Sequence, residues 1–189
     1  MNSGHSEVLP GEARDVLEFW YDLLKPVQWW KRDEAVDAEI VSRFGALYER
    51  LADDVPVSWL ATPRGRLAAV IVLDQFPRNM FRGDRRAFAS DARALEIAMD
   101  TIASGDDTTL TREERSFLYM PFQHCEDRAI QVRSVGLFEA LGDADQLDFA
   151  VKHKQIIDRF GRFPHRNAVL GRESTAEEVE FLRQPGLFW

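Results

Sequence analysis

Apolar residues recur every three or four positions along most of the chain, which is the spacing of one face of an α-helix. The first such set ends near Lys25 and Pro26, and the second begins after Trp29 and Trp30. The same spacing continues into the C-terminal segment, and no alternation of period two interrupts it to mark a pair of strands. The pattern therefore predicts at least seven helices and no β-sheet.

One segment is apolar on every side. Residues 67–73 read Leu-Ala-Ala-Val-Ile-Val-Leu, and the β-branched members of this run also suit a buried strand. The run continues to Phe76, however, and no alternating segment elsewhere offers a partner strand. We therefore predict a central, buried helix over residues 67–76.

Several sequence signals mark where helices begin and end. Thr111 to Glu114 and Ser174 to Glu177 have the spacing of capping boxes, in which two side chains satisfy backbone groups at a helix start. Gly142 follows an apolar helical set and can adopt the left-handed conformation that ends a helix. Short connections between such helices favour antiparallel neighbours.

These elements predict an all-α fold of antiparallel helix pairs, stacked as in a tetratricopeptide-like superhelix. No repeat of fixed period is visible in the sequence, so any repetition is structural. With 189 residues and 45% hydrophobic composition, the chain can bury a full core. We predict a flexible tail over residues 1–10 and a single helical domain over residues 11–189.

The charge balance excludes several classes of partner. A formal charge of -8 disfavours sequence-independent binding to nucleic acid or anionic membranes, which needs a basic surface.

Cys125 is the single cysteine, which excludes an internal disulfide and a multi-cysteine zinc cluster. The N-terminus lacks a signal-peptide pattern, and no apolar run approaches the roughly 20 residues of a membrane span. We expect a cytosolic protein with no nucleic-acid or membrane partner, no metal and no cofactor.

Two similar motifs place Phe-Pro before a basic residue and an asparagine. Residues 76–79 read Phe-Pro-Arg-Asn, and residues 163–167 read Phe-Pro-His-Arg-Asn. Each follows an apolar helical run, so we expect the proline to end the helix and direct polar side chains outward. The pair predicts one site built from two places, locally cationic on an acidic protein. The candidate ligand-binding residues are Asp74, Gln75, Arg78, Asn79, Arg82, Arg162, His165, Arg166 and Asn167.

Each half of this candidate site has a structural alternative. Asp74 with Arg78, and Gln75 with Asn79, have helical spacing, so they form either internal pairs or ligand contacts. The arginines of residues 159–172 either bind carboxylate or phosphate or join the loop to neighbouring acidic helices. Both alternatives remain open at the level of sequence.

A third polar group lies at a helix junction. His124 and Glu126 suggest a general acid-base pair, because a carboxylate orients an imidazole and raises its basicity. The alternatives are a histidine bonded to a helix end and, more weakly, half of a metal site. Cys125 is either a nucleophile or a small buried residue. We expect His153, between two lysines, to lie on a solvated face.

Four segments together resemble a bacterial family known as domain of unknown function 924. They are residues 16–20, residues 73–83, residues 117–126 and residues 159–172. The resemblance extends over nearly the whole chain. It implies an all-α fold similar to tetratricopeptide repeats and carries no activity with it.

Two functions fit these observations. In the first, a groove binds an anionic small molecule or an acidic peptide through arginines and asparagines. In the second, a hydrolase-like enzyme uses His124 or His165 as general acid-base, with Glu126 assisting and arginines stabilising negative charge. A histidine held by a carboxylate in a pocket favours catalysis, whereas exposed arginines in an open groove favour recognition.

Overall fold

The computed structural model describes residues 8–184, and all of its regular structure in that range is helical. This confirms the all-α prediction for the described range, and residues 1–7 of the predicted tail lie outside it. The α-helices are α1 (Gly11–Leu17), α2 (Pro26–Trp30), α3 (Glu34–Asp53), α4 (Val57–Leu60), α5 (Pro63–Val70), α6 (Phe76–Met80), α7 (Asp91–Ala103), α8 (Arg112–His124), α9 (Arg128–Leu141), α10 (Ala144–Phe160), α11 (Asn167–Leu170) and α12 (Ala176–Leu182). Wider π-helical segments occupy Glu18–Leu23 and Ile71–Gln75, and 3₁₀ turns occupy Arg85–Phe88, Asp106–Thr109 and Pro164–Arg166.

The central segment is helical, as predicted, and not a strand. Helix α5, the π-helical turn Ile71–Gln75 and helix α6 follow one another without a break, and residues 67–77 are all buried. A helix whose whole circumference is buried needs apolar residues on every side, which explains why the sequence shows no polar stripe there.

Pro77 does not end this helical run, contrary to the expectation from sequence. It lies in the first turn of α6, where a missing backbone N–H costs little because that group has no helical partner there. The π-helical turn before it changes the bonding register, and the backbone N–H of Phe76 donates to Ile71. The proline therefore starts a new helical register within a continuous helix.

Successive helices in the second half of the chain run antiparallel. Arg112, at the start of α8, donates to the carbonyl of Gly142 after the end of α9, with a distance of 2.6 Å. Arg128, at the start of α9, donates to the carbonyl of Asp158 near the end of α10, at 3.2 Å. The antiparallel prediction is confirmed for these pairs.

The predicted helix ends are found with one correction. Thr111 and Glu114 form the expected capping box, and Gly142 has the left-handed φ of 72°. At α12 the box is shifted by one residue from the predicted Ser174 and Glu177. Thr175 and Glu178 form it, and the Ser174 hydroxyl instead accepts a hydrogen bond from Asn167.

The apolar interior contains a main core and a smaller C-terminal cluster. The main core joins α1 to α10, and Phe76 at its centre packs against Phe44 with ring centroids 4.9 Å apart. The C-terminal cluster consists of Ile156, Ile157, Phe163 and Phe181, with Phe160 packed against it. It attaches the 3₁₀ turn Pro164–Arg166 and helix α12 to the end of α10.

Candidate functional site

A cleft of about 510 Å³ lies where α6, α8, α10 and the turn Pro164–Arg166 meet. Four arginines and three histidines line it, and within residues 8–184 no acidic side chain does. The lining residues are Trp30, Arg32, Arg78, Arg82, Gly83, Ala87, Phe88, His124, His153, His165 and Arg166. The cleft is therefore strongly basic although the chain as a whole is acidic.

The two Phe-Pro motifs meet in this cleft. Arg78 from the first motif and Arg166 from the second both approach the carboxylate of Asp91, at 3.1 Å and 3.4 Å. Arg78 also pairs with Asp74 at 3.2 Å. The proximity expected from the repeated motif is thus present, and it depends on Asp91, which the sequence did not single out.

Arg166 is the more confined of the two arginines. Its side chain is 8% exposed, and its guanidinium lies 4.6 Å from the ring centres of both Phe88 and Phe163. Burial, together with the charge of Arg78, lowers the pKa of Arg166 to about 10. Its Nε has no hydrogen-bond partner among the described residues. Because this Nε is buried, the terminal nitrogens of Arg166 are the groups that an anion in the cleft would contact.

His124 is held by a buried carboxylate. Its Nδ1 lies 2.8 Å from Oδ1 of Asp74, a residue with no solvent exposure. Burial alone would raise the pKa of Asp74, but the neighbouring His124 and Arg78 outweigh this and lower it to about 2. Burial and Arg78 lower the pKa of His124, so its ring is neutral at pH 7. Nδ1–H then donates to Asp74, and Nε2 keeps a lone pair that can accept a proton.

His153 and His165 are further neutral imidazoles at the cleft. Burial lowers the pKa of His153 to about 4 and that of His165 to about 3, and the charge of Arg166 adds to both shifts. Nδ1 of His153 donates to the carbonyl of Phe149 at 2.8 Å, so its Nε2 is also an acceptor. At neutral pH these rings offer hydrogen bonds without adding positive charge.

The expectation that His153 lies on a solvated face is wrong. Helix α10 buries Gln146, Ala150 and Ile157, and His153 continues this three-and-four spacing on the same face. The flanking lysines project from other faces and pair with acidic residues one turn away. The spacing of the buried positions in α10 indicates the orientation of His153, whereas the charges of the two flanking lysines do not.

A second pocket, of about 500 Å³, adjoins the cleft and shares Trp30, Arg78, His124 and His153 with it. Three glutamines contribute to its wall together with apolar side chains. Its remaining lining residues are Trp29, Gln75, Met120, Gln123, Gln146 and Phe149. We call it the glutamine pocket.

The two tryptophans before α3 have different roles. Trp29 donates its Nε1 to the carbonyl of Trp20 at 2.8 Å and packs against the main core. Trp30 is 51% exposed, stacks on Phe117 at 5.7 Å, and lines both the cleft and the glutamine pocket. Trp29 therefore has a structural role at the core, whereas Trp30 has a surface available to a ligand.

Arg162 is not part of the cleft lining. It forms two hydrogen bonds with the carboxylate of Glu178, at 2.7 Å and 2.8 Å, and donates to the carbonyl of Glu173. Arg159 and Arg172 likewise pair with Glu177 and Glu126. Of the two alternatives open from the sequence, the contacts of these three arginines fit the one in which they join this segment to neighbouring acidic residues.

The sequence suggested that Glu126 pairs with His124, but Glu126 has other partners in the structure. Its carboxylate accepts from the backbone N–H of Phe163 at 2.7 Å and from Arg172 at 2.6 Å. Burial would raise the pKa of Glu126, but these contacts with Arg172 and Phe163 lower it. Glu126 therefore supports the second motif, and the carboxylate partner of His124 is Asp74.

The amide N–H groups of Gln75, Asn79 and Asn167 donate to other protein groups. Asn79 donates to Asp37 at 2.7 Å, and Asn167 donates to Ser174 at 3.0 Å. Gln75 donates to Asp74 at 2.6 Å, so the structure does not contain the alternative pair of Gln75 with Asn79, and Gln75 lines the glutamine pocket. Asn79 and Asn167 are absent from the described lining of the cleft.

Arg82 lines the cleft, whereas Cys125 does not. Arg82 forms a two-pronged contact with Asp37, at 2.6 Å and 2.8 Å, while still lining the cleft. Burial raises the pKa of the Cys125 thiol, which lowers its thiolate fraction and its reactivity. Cys125 is also absent from the described lining of both pockets, so the structure gives a nucleophilic role no support.

No group of three or more His, Cys, Asp or Glu side chains within residues 8–184 has an arrangement that could hold a metal ion. In the same range, no helix is long and apolar enough to cross a membrane.

With the cleft described, the comparisons with known proteins define the class of protein. A family model described as bacterial protein of unknown function (DUF924) matches residues 16–186, and the chain belongs to this family. No curated protein matches the chain.

A solved structure is also similar. It is that of a protein of unknown function, ATU0120, from Agrobacterium tumefaciens, with a TM-score of 0.84 and 38% sequence identity. The match covers 91% of this chain and 97% of the other. The helical arrangement is therefore shared with a solved structure.

Proposed function

We propose that the protein binds a small anionic molecule in the basic cleft. The observation that carries the proposal is the lining of four arginines and three histidines without an acidic side chain among the described residues. The acidic partners of Arg78, Arg82 and Arg166 are each less than a fifth exposed and are absent from the described lining of the cleft. Guanidinium groups bind carboxylate and phosphate through paired hydrogen bonds.

The confinement of the arginines favours a small molecule over an acidic peptide. Side-chain exposure is 21% at Arg78 and 8% at Arg166, so most of each guanidinium is shielded by the protein. Arg32 and Arg82 are more exposed, at 69% and 37%, but two such cations offer an acidic peptide only a short path. A phosphate or carboxylate at the end of a small molecule can enter the cleft alone.

The direct test is calorimetric titration of phosphate and acetate into wild-type protein and Arg166→Met. We expect binding of at least one anion to the wild type, weakened at least tenfold in the variant, because the confined guanidinium is removed. Arg183→Met removes an arginine that is 72% exposed at the end of α12, and it serves as the matched control. Binding that is absent from the wild type, or equal in all three proteins, overturns the proposal.

A second candidate function is hydrolysis, favoured by the contact between Asp74 and His124. In this mechanism Nε2 of His124 takes a proton from water, and the resulting hydroxide attacks an ester carbonyl of the bound anion. Arg78 stabilises the negative charge that develops on the carbonyl oxygen. The protonated His124 then returns the proton to the departing alcohol, which restores the ring and leaves an acid.

A chromogenic ester that carries a carboxylate, such as p-nitrophenyl succinate, tests this mechanism. His124→Gln keeps a hydrogen bond to Asp74 but cannot act as a base near pH 7, so turnover should fall at least about 100-fold. Acetate affinity, measured in parallel, should change little. Turnover that is no faster than in buffer, or is equal in the variant, excludes the catalytic role.

The sequence expectations about architecture and location complete the proposal. A tetratricopeptide-like superhelix is supported by the antiparallel order of α8, α9 and α10, and a single domain over residues 11–189 by the main core that joins α1 to α10. A cytosolic location is part of the same proposal, and the net charge of -8 supports the expectation that the partner is neither nucleic acid nor an anionic membrane.

A further inference from the structure

The glutamine pocket differs chemically from the basic cleft that it adjoins. Arg78, which lies at the boundary and lines both spaces, is the one arginine or lysine in the described lining of the pocket, and no acidic side chain lines it. Met120, Phe149 and Trp30 contribute apolar surface. The pocket therefore suits an uncharged group, in contrast to the cleft.

Three buried glutamines give this uncharged space a polar pattern. Gln75, Gln123 and Gln146 are each less than a tenth exposed, and each lines the pocket. A side-chain amide offers both N–H donors and a carbonyl acceptor, which are the groups that another amide pairs with. Gln75 already donates to Asp74, but three amides in one wall still supply donors and acceptors that a polar ligand can meet.

Gln123 supplies the most specific observation. It is 4% exposed, and its Nε2 has no hydrogen-bond partner within the described part of the chain. This Nε2 is itself buried, and a buried donor without an acceptor is costly, so rotation of the Gln123 amide towards an acceptor in the pocket is favoured. A carbonyl oxygen of a ligand is the acceptor that an amide N–H meets most often.

Cleft and pocket adjoin each other and share Arg78, His124, His153 and Trp30. A molecule anchored in the cleft is therefore placed to extend past the imidazoles into the glutamine pocket. The half-exposed ring of Trp30 borders both and offers a flat apolar face. The order along such a molecule is an anionic group, then a hydrogen-bonding group, then an apolar or aromatic end.

We infer that the ligand is an N-acylated amino acid or a similarly built acid, whose carboxylate lies at Arg78 and Arg166 and whose amide and apolar acyl group occupy the glutamine pocket. This inference rests on the proposed anion binding and specifies the class of molecule that is bound. Arginines give affinity for the anion, while the glutamines and Trp30 select the acyl amide.

The test compares hippurate (N-benzoylglycine) with acetate and with hippurate methyl ester, by calorimetry on the wild-type protein. We expect hippurate to bind at least tenfold more tightly than acetate, because the amide and ring add contacts. The methyl ester lacks the negative charge and should bind at least tenfold more weakly than hippurate. Hippurate should also change tryptophan fluorescence, since its ring lies near Trp30.

Gln123→Leu separates the two parts of the site. It removes the Nε2 donor at similar size, so the advantage of hippurate over acetate should fall to less than threefold while acetate affinity stays the same. Gln155→Leu makes the same change at an exposed position of α10 and should keep the full advantage. Trp30→Ala, at a half-exposed residue, provides a second variant if Gln123→Leu does not fold, with the same expected loss.

The outcomes distinguish this inference from the proposed function. If acetate binds and depends on Arg166 but hippurate gains nothing, the acyl-amide inference is overturned and anion binding stands. If hippurate binds equally well in Gln123→Leu and Trp30→Ala, the assignment to the glutamine pocket is overturned. If no carboxylate or phosphate binds, the proposed function and the inference both fail.

Discussion

Arg162 and Arg166 are four positions apart but occupy opposite environments. Arg162 pairs with Glu178, whose side chain is 2% exposed, at the start of α12. Arg166 lies in the cleft between two phenylalanine rings, with its charge shared between Asp91 and any bound anion. Removing Arg162 strands a carboxylate, whereas removing Arg166 leaves Asp91 paired with Arg78.

Arg162→Ala should therefore lower the free energy of unfolding without weakening anion binding. The carboxylate of Glu178 loses both hydrogen bonds from Arg162. These bonds, with the backbone N–H of Thr175, lower the pKa of Glu178 to about 2 although burial acts in the opposite direction. Urea unfolding measures the loss, and Arg183→Ala, at an exposed position, should change the midpoint much less. Unchanged stability of Arg162→Ala, or weaker phosphate binding by its folded form, would contradict this assignment.

His153 makes stability depend on pH. Its pKa is about 4 in the folded protein and about 6.5 in the unfolded chain, so the unfolded state binds more protons between these values. Stability is therefore lost as the pH falls from about 6.5 towards 4, by about 2 kcal/mol between pH 7 and pH 5 for this residue alone. His165 contributes in the same direction.

The variant His153→Asn isolates this contribution, because asparagine retains an N–H donor for the carbonyl of Phe149. We expect the difference in unfolding free energy between pH 7 and pH 5 to shrink by about 2 kcal/mol in the variant. Urea unfolding at both pH values gives this difference. An unaltered difference would mean that His153 is protonated equally in both states.

How far single residues could be assigned from the sequence depended on their surroundings. Asp74 was identifiable because a carboxylate inside a wholly apolar run needs a partner. The partner of Asp74 is His124, which is fifty positions away and has no local sequence signal. The sequence therefore suggested Glu126, two residues from His124, as the carboxylate that pairs with this histidine. Asp91 and Gln123 show no pattern at all, because their importance arises only from packing.

At the scale of elements, amphipathic periodicity predicted helices well and their irregularities poorly. Helix α3 and helix α7 follow their apolar spacing closely. The π-helical turn Ile71–Gln75 could not be predicted from the sequence. An extra residue in a helix shifts the position of its apolar face, but a helix that is buried on all sides has no separate apolar face in which this shift would be visible. This turn contains Asp74 and therefore helps to position the carboxylate that holds His124.

Gly136 within α9 and Gly142 directly after its end allow the effect of a glycine-to-alanine change on stability to be compared between a helix interior and a helix end. Gly142 has a φ of 72°, where a side chain is strained, whereas Gly136 is exposed within the helix, and added methyl groups meet no atom within 4 Å at either site. Gly142→Ala should destabilise the protein by about 1 kcal/mol, and Gly136→Ala should stabilise it by roughly 0.5–1 kcal/mol. Thermal unfolding compares the two variants, and shifts of the same sign would contradict the assigned backbone roles.

At the scale of the whole molecule, the cleft is assembled from parts distant in sequence. The first motif belongs to the main core, whereas the second is attached by the C-terminal cluster and by the pairs that Arg162 and Arg172 form. The repeated Phe-Pro motif indicated a shared site. The sequence could not indicate that α10 contributes His153, since long-range packing decides which face of a helix meets the cleft.

This assembly makes anion affinity depend on residues outside the cleft. Phe181 packs in the C-terminal cluster, with its ring centre 4.9 Å from that of Phe160. Phe181→Leu removes part of this packing and should increase the population in which residues 162–172 are detached, so that apparent phosphate affinity falls several-fold. Phe138→Leu alters the main core at α9 and is the matched control, lowering global stability by on the order of 1–2 kcal/mol with little change in affinity.

Hydrogen exchange with calorimetry distinguishes these effects. In Phe181→Leu, amides of residues 162–172 should exchange faster while those of α5 and α8 do not, because only the C-terminal attachment is weakened. Saturating phosphate should restore the slow exchange, because phosphate binds the attached state more tightly than the detached one. The size of the effect is set by the difference between these two affinities. If both variants lose affinity equally, or if exchange in residues 162–172 is unaltered, the C-terminal cluster does not control the position of Arg166.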